Sequence, residues 1–141
     1  MDTGKVINKI SNRLRRRSVA LQEKLGMSGA QGNILNYILV DGRKRSVYQK
    51  DIEKEFGLRP STATEALKNL EAKGLICRIS EKADGRLKRI ELTSKAEEIR
   101  HLITSEIAES ENLLLKGITE EERRIFIEIG KKMLKNLDEA E

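Results

Sequence analysis

The sequence predicts a mainly helical fold, a winged helix-turn-helix, and three observations within residues 46–93 carry that prediction. Two short segments with apolar sides are separated by a glycine and a proline, which suits two helices joined by a tight turn. Gly74 fits the left-handed position that closes the second of them. Two β-prone runs then flank a charged turn, the pattern of a small hairpin wing.

The first helix of the pair is predicted at about 47–56. Ser46 and Gln49 stand three apart as a capping box, and Val47, Ile52 and Phe56 supply its apolar side. Gly57 stops it. Pro60 suits the opening turn of the second helix, about 60–73, because no intrahelical bond there needs its missing N–H. Ala63, Ala66, Leu67 and Leu70 form a core stripe, and a step of about 100° per residue places Ser61, Thr64, Glu65 and Lys68 on the opposite, polar face. Hydroxyls can donate to phosphate or base edges, Lys can reach phosphate or guanine, and Glu can accept from the cytosine amino group. Such a face suits a major groove.

The hairpin is predicted from Ile76, Cys77, Arg78, Ile79 and Ser80 with 87–92, around a turn at 81–86. Lys82, Arg86, Lys88 and Arg89 make its tip and flanks basic, so it can lie along phosphates or reach a neighbouring minor groove. A charged turn standing alone is equally well a solvated one. Beside the helix pair, the DNA-facing reading is preferred.

Three stretches here, Pro60-Ser61-Thr62-Ala63-Thr64, Leu70-Glu71-Ala72-Lys73-Gly74-Leu75-Ile76 and Asp84-Gly85-Arg86-Leu87-Lys88-Arg89-Ile90-Glu91-Leu92-Thr93, closely resemble the MarR family of transcriptional regulators. The wing pattern D-x-R followed by a basic strand ending in L-T is the most specific part. Order and spacing are similar over nearly the whole chain. The resemblance implies a homodimeric winged-helix protein that binds double-stranded DNA, commonly a repressor released by a small aromatic or phenolic ligand. Two positions depart from the pattern: Glu65 and Asn69 stand where many members carry arginine. The candidate DNA-binding residues are therefore Ser61, Thr62, Thr64, Glu65 and Lys68 on the helix, with Lys82, Arg86 and Lys88 on the wing.

At 141 residues the chain has the length of a single domain, 1–141, with a DNA-binding lobe expected at about 28–93. Aromatic residues make up only 3%, so the core must be built from Leu, Ile and Val. The net charge of +5 is unevenly spread. Residues 43–89 hold thirteen basic and seven acidic side chains, whereas residues 106–141 hold six basic and ten acidic ones. Positive charge gathers on the expected reading head, as nucleic-acid binding requires.

Outside the lobe, residues 4–25 read as a helix with Val6, Ile7, Ile10 and Leu14 at helical spacing, and Val19, Leu21 and Leu25 continuing less regularly. The run Arg13, Leu14, Arg15, Arg16, Arg17 is read as a solvated helix shoulder, since it lacks the Trp or Phe of an interfacial helix. After Gly26, Ser28 and Gln31 form a capping box for a helix carrying Ala30, Ile34, Leu35, Tyr37 and Ile38, which Asp41-Gly42 ends. The loop Arg43-Lys44-Arg45 either touches the DNA backbone or is solvated. Thr93 and Ser94 cap a helix of about 95–116 with Ile99, Leu102, Ile103, Ile107 and Leu114 on one side. Beyond Gly117, Thr119 and Glu122 box a last helix with Phe126, Ile129, Met133 and Leu137. The helices at 4–25 and 95–139 exceed what a compact winged helix needs, and they are expected to form a dimer platform.

Other functions have less to stand on. One cysteine excludes an intrachain disulfide and any multi-thiolate metal site. There is no glycine-rich phosphate loop, nucleophile elbow or zinc spacing, and the one histidine, His101, reads as an ordinary helix residue. No enzyme activity, cofactor or metal is expected. Some MarR-like proteins sense peroxide through an N-terminal cysteine, but Cys77 is read as a partly buried strand thiol. No apolar run approaches the about 20 residues of a membrane helix, so a soluble, cytoplasmic protein without a membrane partner is expected. The competing reading is a winged-helix module that binds a protein or RNA without operator recognition.

Overall fold

A computed structural model describes residues 1–17 and 23–141. Its elements are α1 (Thr3–Arg17), α2 (Gly29–Asp41), α3 (Gln49–Phe56), α4 (Pro60–Ala72), β1 (Ile76–Ser80), β2 (Lys88–Leu92), α5 (Ser94–Leu114) and α6 (Glu120–Ala140). The order is the one expected for a winged helix-turn-helix between longer helices. Expected positions Val19 and Leu21 lie outside the described residues.

The chain divides into two compact units, residues 1–107 and 108–141. In the first, one aliphatic cluster joins α2 to α5: Met27, Leu35, Ile52, Leu67, Leu70, Leu75 and Ile103 are among its fully buried members. Tyr37 and Phe56 pack against this cluster edge to face, with ring centroids 5.9 Å apart. Since so few rings are available, Leu and Ile fill nearly all of the interior. The described residues bury no charged or polar side chain completely in that core, so hydrophobic burial carries the packing.

Local signals set most helix ends. The Ser28 hydroxyl accepts from the Gln31 N–H at 3.1 Å, and the Gln31 side chain accepts from the Ser28 N–H at 3.2 Å, closing the expected box. Thr119 and Glu122 do the same for α6. Thr93 joins two elements: its hydroxyl donates to the Gly74 carbonyl at 2.6 Å and accepts from the Ala96 N–H. That places the start of α5 against the end of α4.

One expected cap is corrected. Ser46 and Gln49 do not box α3; the helix begins two residues later than expected, at Gln49, and Asp51 accepts from the Tyr48 N–H at 2.9 Å instead. The cause lies far away in sequence. The Val47 carbonyl accepts from the Ile90 N–H at 2.8 Å in a lone β-bridge, which holds Val47 extended and delays the helix.

α1 buries none of its residues; Val6, Ile7 and Ile10 are exposed along it, and Arg13 and Arg15 donate to Lys9 and Ser11 within the helix. In the second unit α6 likewise buries nothing, leaving Phe126 66% and Leu137 67% exposed. Ion pairs of Arg124 with Glu121 and Glu128 line its polar side. Among the described residues no helix is long and apolar enough to cross a membrane.

Candidate nucleic-acid interface

The turn between α3 and α4 is three residues long. Gly57 takes the left-handed conformation (φ 62°), which a side chain would strain, and Leu58 donates back to the Glu53 carbonyl at 2.9 Å. Arg59 is extended and Pro60 opens α4. Ala63, Leu67 and Leu70 face the core, so the helix periodicity turns Ser61, Glu65 and Lys68 outward; all three are exposed, and so are Thr62 and Asn69. Among the described residues the side chains of Glu65 and Lys68 take part in no ion pair or hydrogen bond. Thr64 differs from the rest of the expected set. It is half-buried, and its hydroxyl accepts from the Gln49 side-chain amide at 2.9 Å.

The wing is an antiparallel pair in which Ile76 faces Leu92 and Ser80 faces Lys88. Leu87 belongs to its turn rather than to β2: the Leu87 N–H donates to the Asp84 carbonyl at 3.1 Å, and its carbonyl accepts from Glu81. Asp84 also accepts from the Arg86 N–H at 3.0 Å, which fixes the tip. The Arg86 side chain stands 97% exposed, with only a 3.8 Å approach to the Asp84 carboxylate. Lys82 and Lys88 are exposed too. The tip therefore keeps three cations facing water.

Arg89 does not join them, although it lies in the same basic run. Its guanidinium is 3.1 Å from Glu81 and 2.8 Å from Glu91, and its side chain is only 29% exposed. The hydrogen bond to Glu91, more than any other contact, pushes its pKa up and keeps it charged. Glu81 also accepts from the Tyr48 hydroxyl at 2.9 Å, and that bond raises the phenol's pKa above its ordinary value. With the Val47 bridge, this network ties the wing to the start of α3.

The basic loop is divided in the same way. Arg45 donates to the Tyr37 hydroxyl at 2.7 Å and pairs with Asp51 at 3.3 Å and Asp41 at 3.6 Å, while Arg43 and Lys44 are exposed. Burial raises the Tyr37 pKa, and Arg45 opposes that shift. Cys77 is half-buried and paired with Glu91 across the ladder, and His101 lies exposed on α5. Among the described residues no cluster of His, Cys, Asp and Glu could hold a metal ion.

Sequence reasoning missed Gln49 and Tyr48 as parts of this region. Gln49 had a local explanation as a cap, and a tyrosine beside a helix start carries no local signal for a bond 33 residues away.

Comparison with known proteins extends these observations. A family model described as MarR family matches residues 25–87. The uncharacterized HTH-type transcriptional regulator YdgJ of Bacillus subtilis (strain 168) is 30% identical over 98 residues, which is 67% of this chain. That match spans 58% of the relative's length. The crystal structure of the transcription regulator MarR from Oenococcus oeni PSU-1 is 30% identical, with a TM-score of 0.84 over 95% of this chain and 99% of that one. The S. aureus MepR–DNA complex is 28% identical, with a TM-score of 0.83 over 96% of this chain and 98% of that one.

Proposed function

Because the chain belongs to the MarR family of transcriptional regulators, we propose that it regulates transcription as a homodimer that reads a pseudo-palindromic operator in double-stranded DNA. The observation that carries this reading is the pairing of an exposed polar face on α4 with a wing whose Arg86, Lys82 and Lys88 face water. An α-helix fits the major groove, where Ser61, Thr62, Thr64, Glu65 and Lys68 meet base edges or phosphates. The wing cations then meet the backbone or a narrow minor groove. S. aureus MepR, similar over nearly its whole length, is solved as a DNA complex.

Dimerisation rests on the exposed apolar side chains of α1 and α6. Phe126, Ile129 and Leu137 recur along α6 at helical spacing, and a second copy would remove them from water. Control as a repressor released by a small aromatic or phenolic ligand follows from the family resemblance, as does a cytoplasmic location. A protein- or RNA-binding module would need neither the polar α4 face nor the basic wing.

The test is a salt titration of the purified chain on a selected operator and on a scrambled duplex. Tighter binding to the operator, with affinity for both falling as salt rises, is expected. Equal affinity for the two duplexes at every salt concentration would contradict the proposal.

A further inference from the structure

We propose that Gln49 fixes the direction in which Thr64 offers its hydroxyl hydrogen, and thereby which bases α4 accepts at that position; this deepens the docking proposed above and rests on it. The Gln49 Nε2 atom lies 2.9 Å from Thr64 Oγ1, 3.1 Å from Glu53 Oε2 and 3.2 Å from the Pro60 carbonyl oxygen. Two of these three neighbours can only accept, since a carboxylate and a peptide carbonyl carry no hydrogen. They hold the NH₂ end of the amide at this point, because the reversed amide would set its oxygen against two others. Facing a donor, the Thr64 hydroxyl must accept, and its own hydrogen is directed elsewhere.

Within helices a threonine commonly spends that hydrogen on the carbonyl four residues back. Thr104 does so, donating to Arg100 at 3.1 Å and sharing with His101 at 3.2 Å. Thr64 does not: among the described residues its hydroxyl donates to no group, and the carbonyl four back, that of Pro60, accepts from the Gln49 side chain. Thr64 is left as an oriented donor three residues beyond Ser61 and four before Lys68 on α4. In the major groove a donor is met by guanine N7 and O6, adenine N7 or thymine O4. Cytosine offers only its amino group there, which is itself a donor. With one lone pair of the hydroxyl engaged by Gln49, the base facing Thr64 is biased toward an acceptor and away from cytosine, and Gln49 is the positioning residue that sets this bias.

The experiment selects bound duplexes from a pool randomised across the half-site, at fixed salt, with the full chain and its variants. Thr64→Ala should lose discrimination at one position, by about tenfold, the worth of roughly one hydrogen bond. Thr64→Ser should keep it. Gln49→Glu sets a carboxylate against Glu53 and the Pro60 carbonyl, so the new side chain is repelled from this point and the Thr64 hydroxyl loses the donor that held it. Cytosine should then be tolerated at that same position. Gln49→Ala, which adds no charge beside Glu53, should relax the same position, and combining it with Thr64→Ala should add nothing. Gln49 variants that keep the wild-type base preference where Thr64→Ala loses it would overturn the proposal, as would a Thr64→Ala variant that keeps every preference of a selective wild type. A wild type that enriches no sequence would instead overturn the docking itself, and this proposal with it.

Discussion

The Tyr48 hydroxyl donates to the Glu81 carboxylate over 2.9 Å, joining the residue that opens α3 to the residue that opens the wing turn. Glu81 in turn faces the Arg89 guanidinium at 3.1 Å, so one carboxylate serves a phenol and a cation together. Wing posture is thereby coupled to the helix pair through side chains as well as through the Val47 bridge.

That coupling should depend on pH at the alkaline end. The bond to Glu81 raises the Tyr48 pKa in the folded chain, so its contribution is whole below the ordinary tyrosine value of about 10 and is lost as pH rises through the higher folded value. Thermal melts of wild type and Tyr48→Phe should differ at neutral pH, with the variant less stable, and converge above about pH 10. A gap that stays constant through that range would show that the phenol's proton is not involved.

Arg86 and Arg89 should behave differently although only three positions separate them. Arg86 is open to solvent, and removing it with Arg86→Ala should weaken binding to all duplexes and lower the salt-dependence slope by about 1 if one phosphate contact is lost. Arg89 is already satisfied by Glu81 and Glu91, so Arg89→Ala should lower the melting temperature and leave that slope nearly unchanged. The reverse pattern in the same titrations would assign the phosphate contact to Arg89.

Cys77 lies half-buried in β1. Cys77→Ser should leave operator affinity and peroxide response unaltered, with at most a modest loss of stability. Peroxide-dependent release from DNA that is present in the wild type and absent in the variant would make Cys77 a sensor.

Sedimentation should find a dimer at micromolar concentration. Because Phe126 and Leu137 sit three helical turns apart on an open side of α6, Phe126→Lys with Leu137→Lys should shift it to the 16.0 kDa monomer and weaken operator binding at least tenfold. A wild-type monomer that binds its operator tightly would contradict the dimer platform.

Elements with local causes were legible in the sequence. Ser28 with Gln31, Thr119 with Glu122, the left-handed glycines Gly57 and Gly74, and Pro60 at the start of α4 each act within four residues, and each does what its spacing predicts. The failures share a different cause. Ser46 and Gln49 have the spacing of a cap, but Ile90 claims Val47 and α4 claims the Gln49 amide, both from a distance in sequence. Likewise the charge of Arg89 counts toward a basic run, while its neutralisation needs the register that brings Glu81 beside it. The polar face of α4 was visible from periodicity alone. Which of its groups are already engaged was not, because hydrogen-bond partners on another helix leave no period.

Selection of bound sequences from random duplexes at fixed salt tests the central claim most directly. Two copies of α4 in successive major grooves should enrich a pseudo-palindrome whose half-sites lie about 10 bp apart or a multiple of that. Enrichment of nothing, or of one site without two-fold symmetry, would contradict the account.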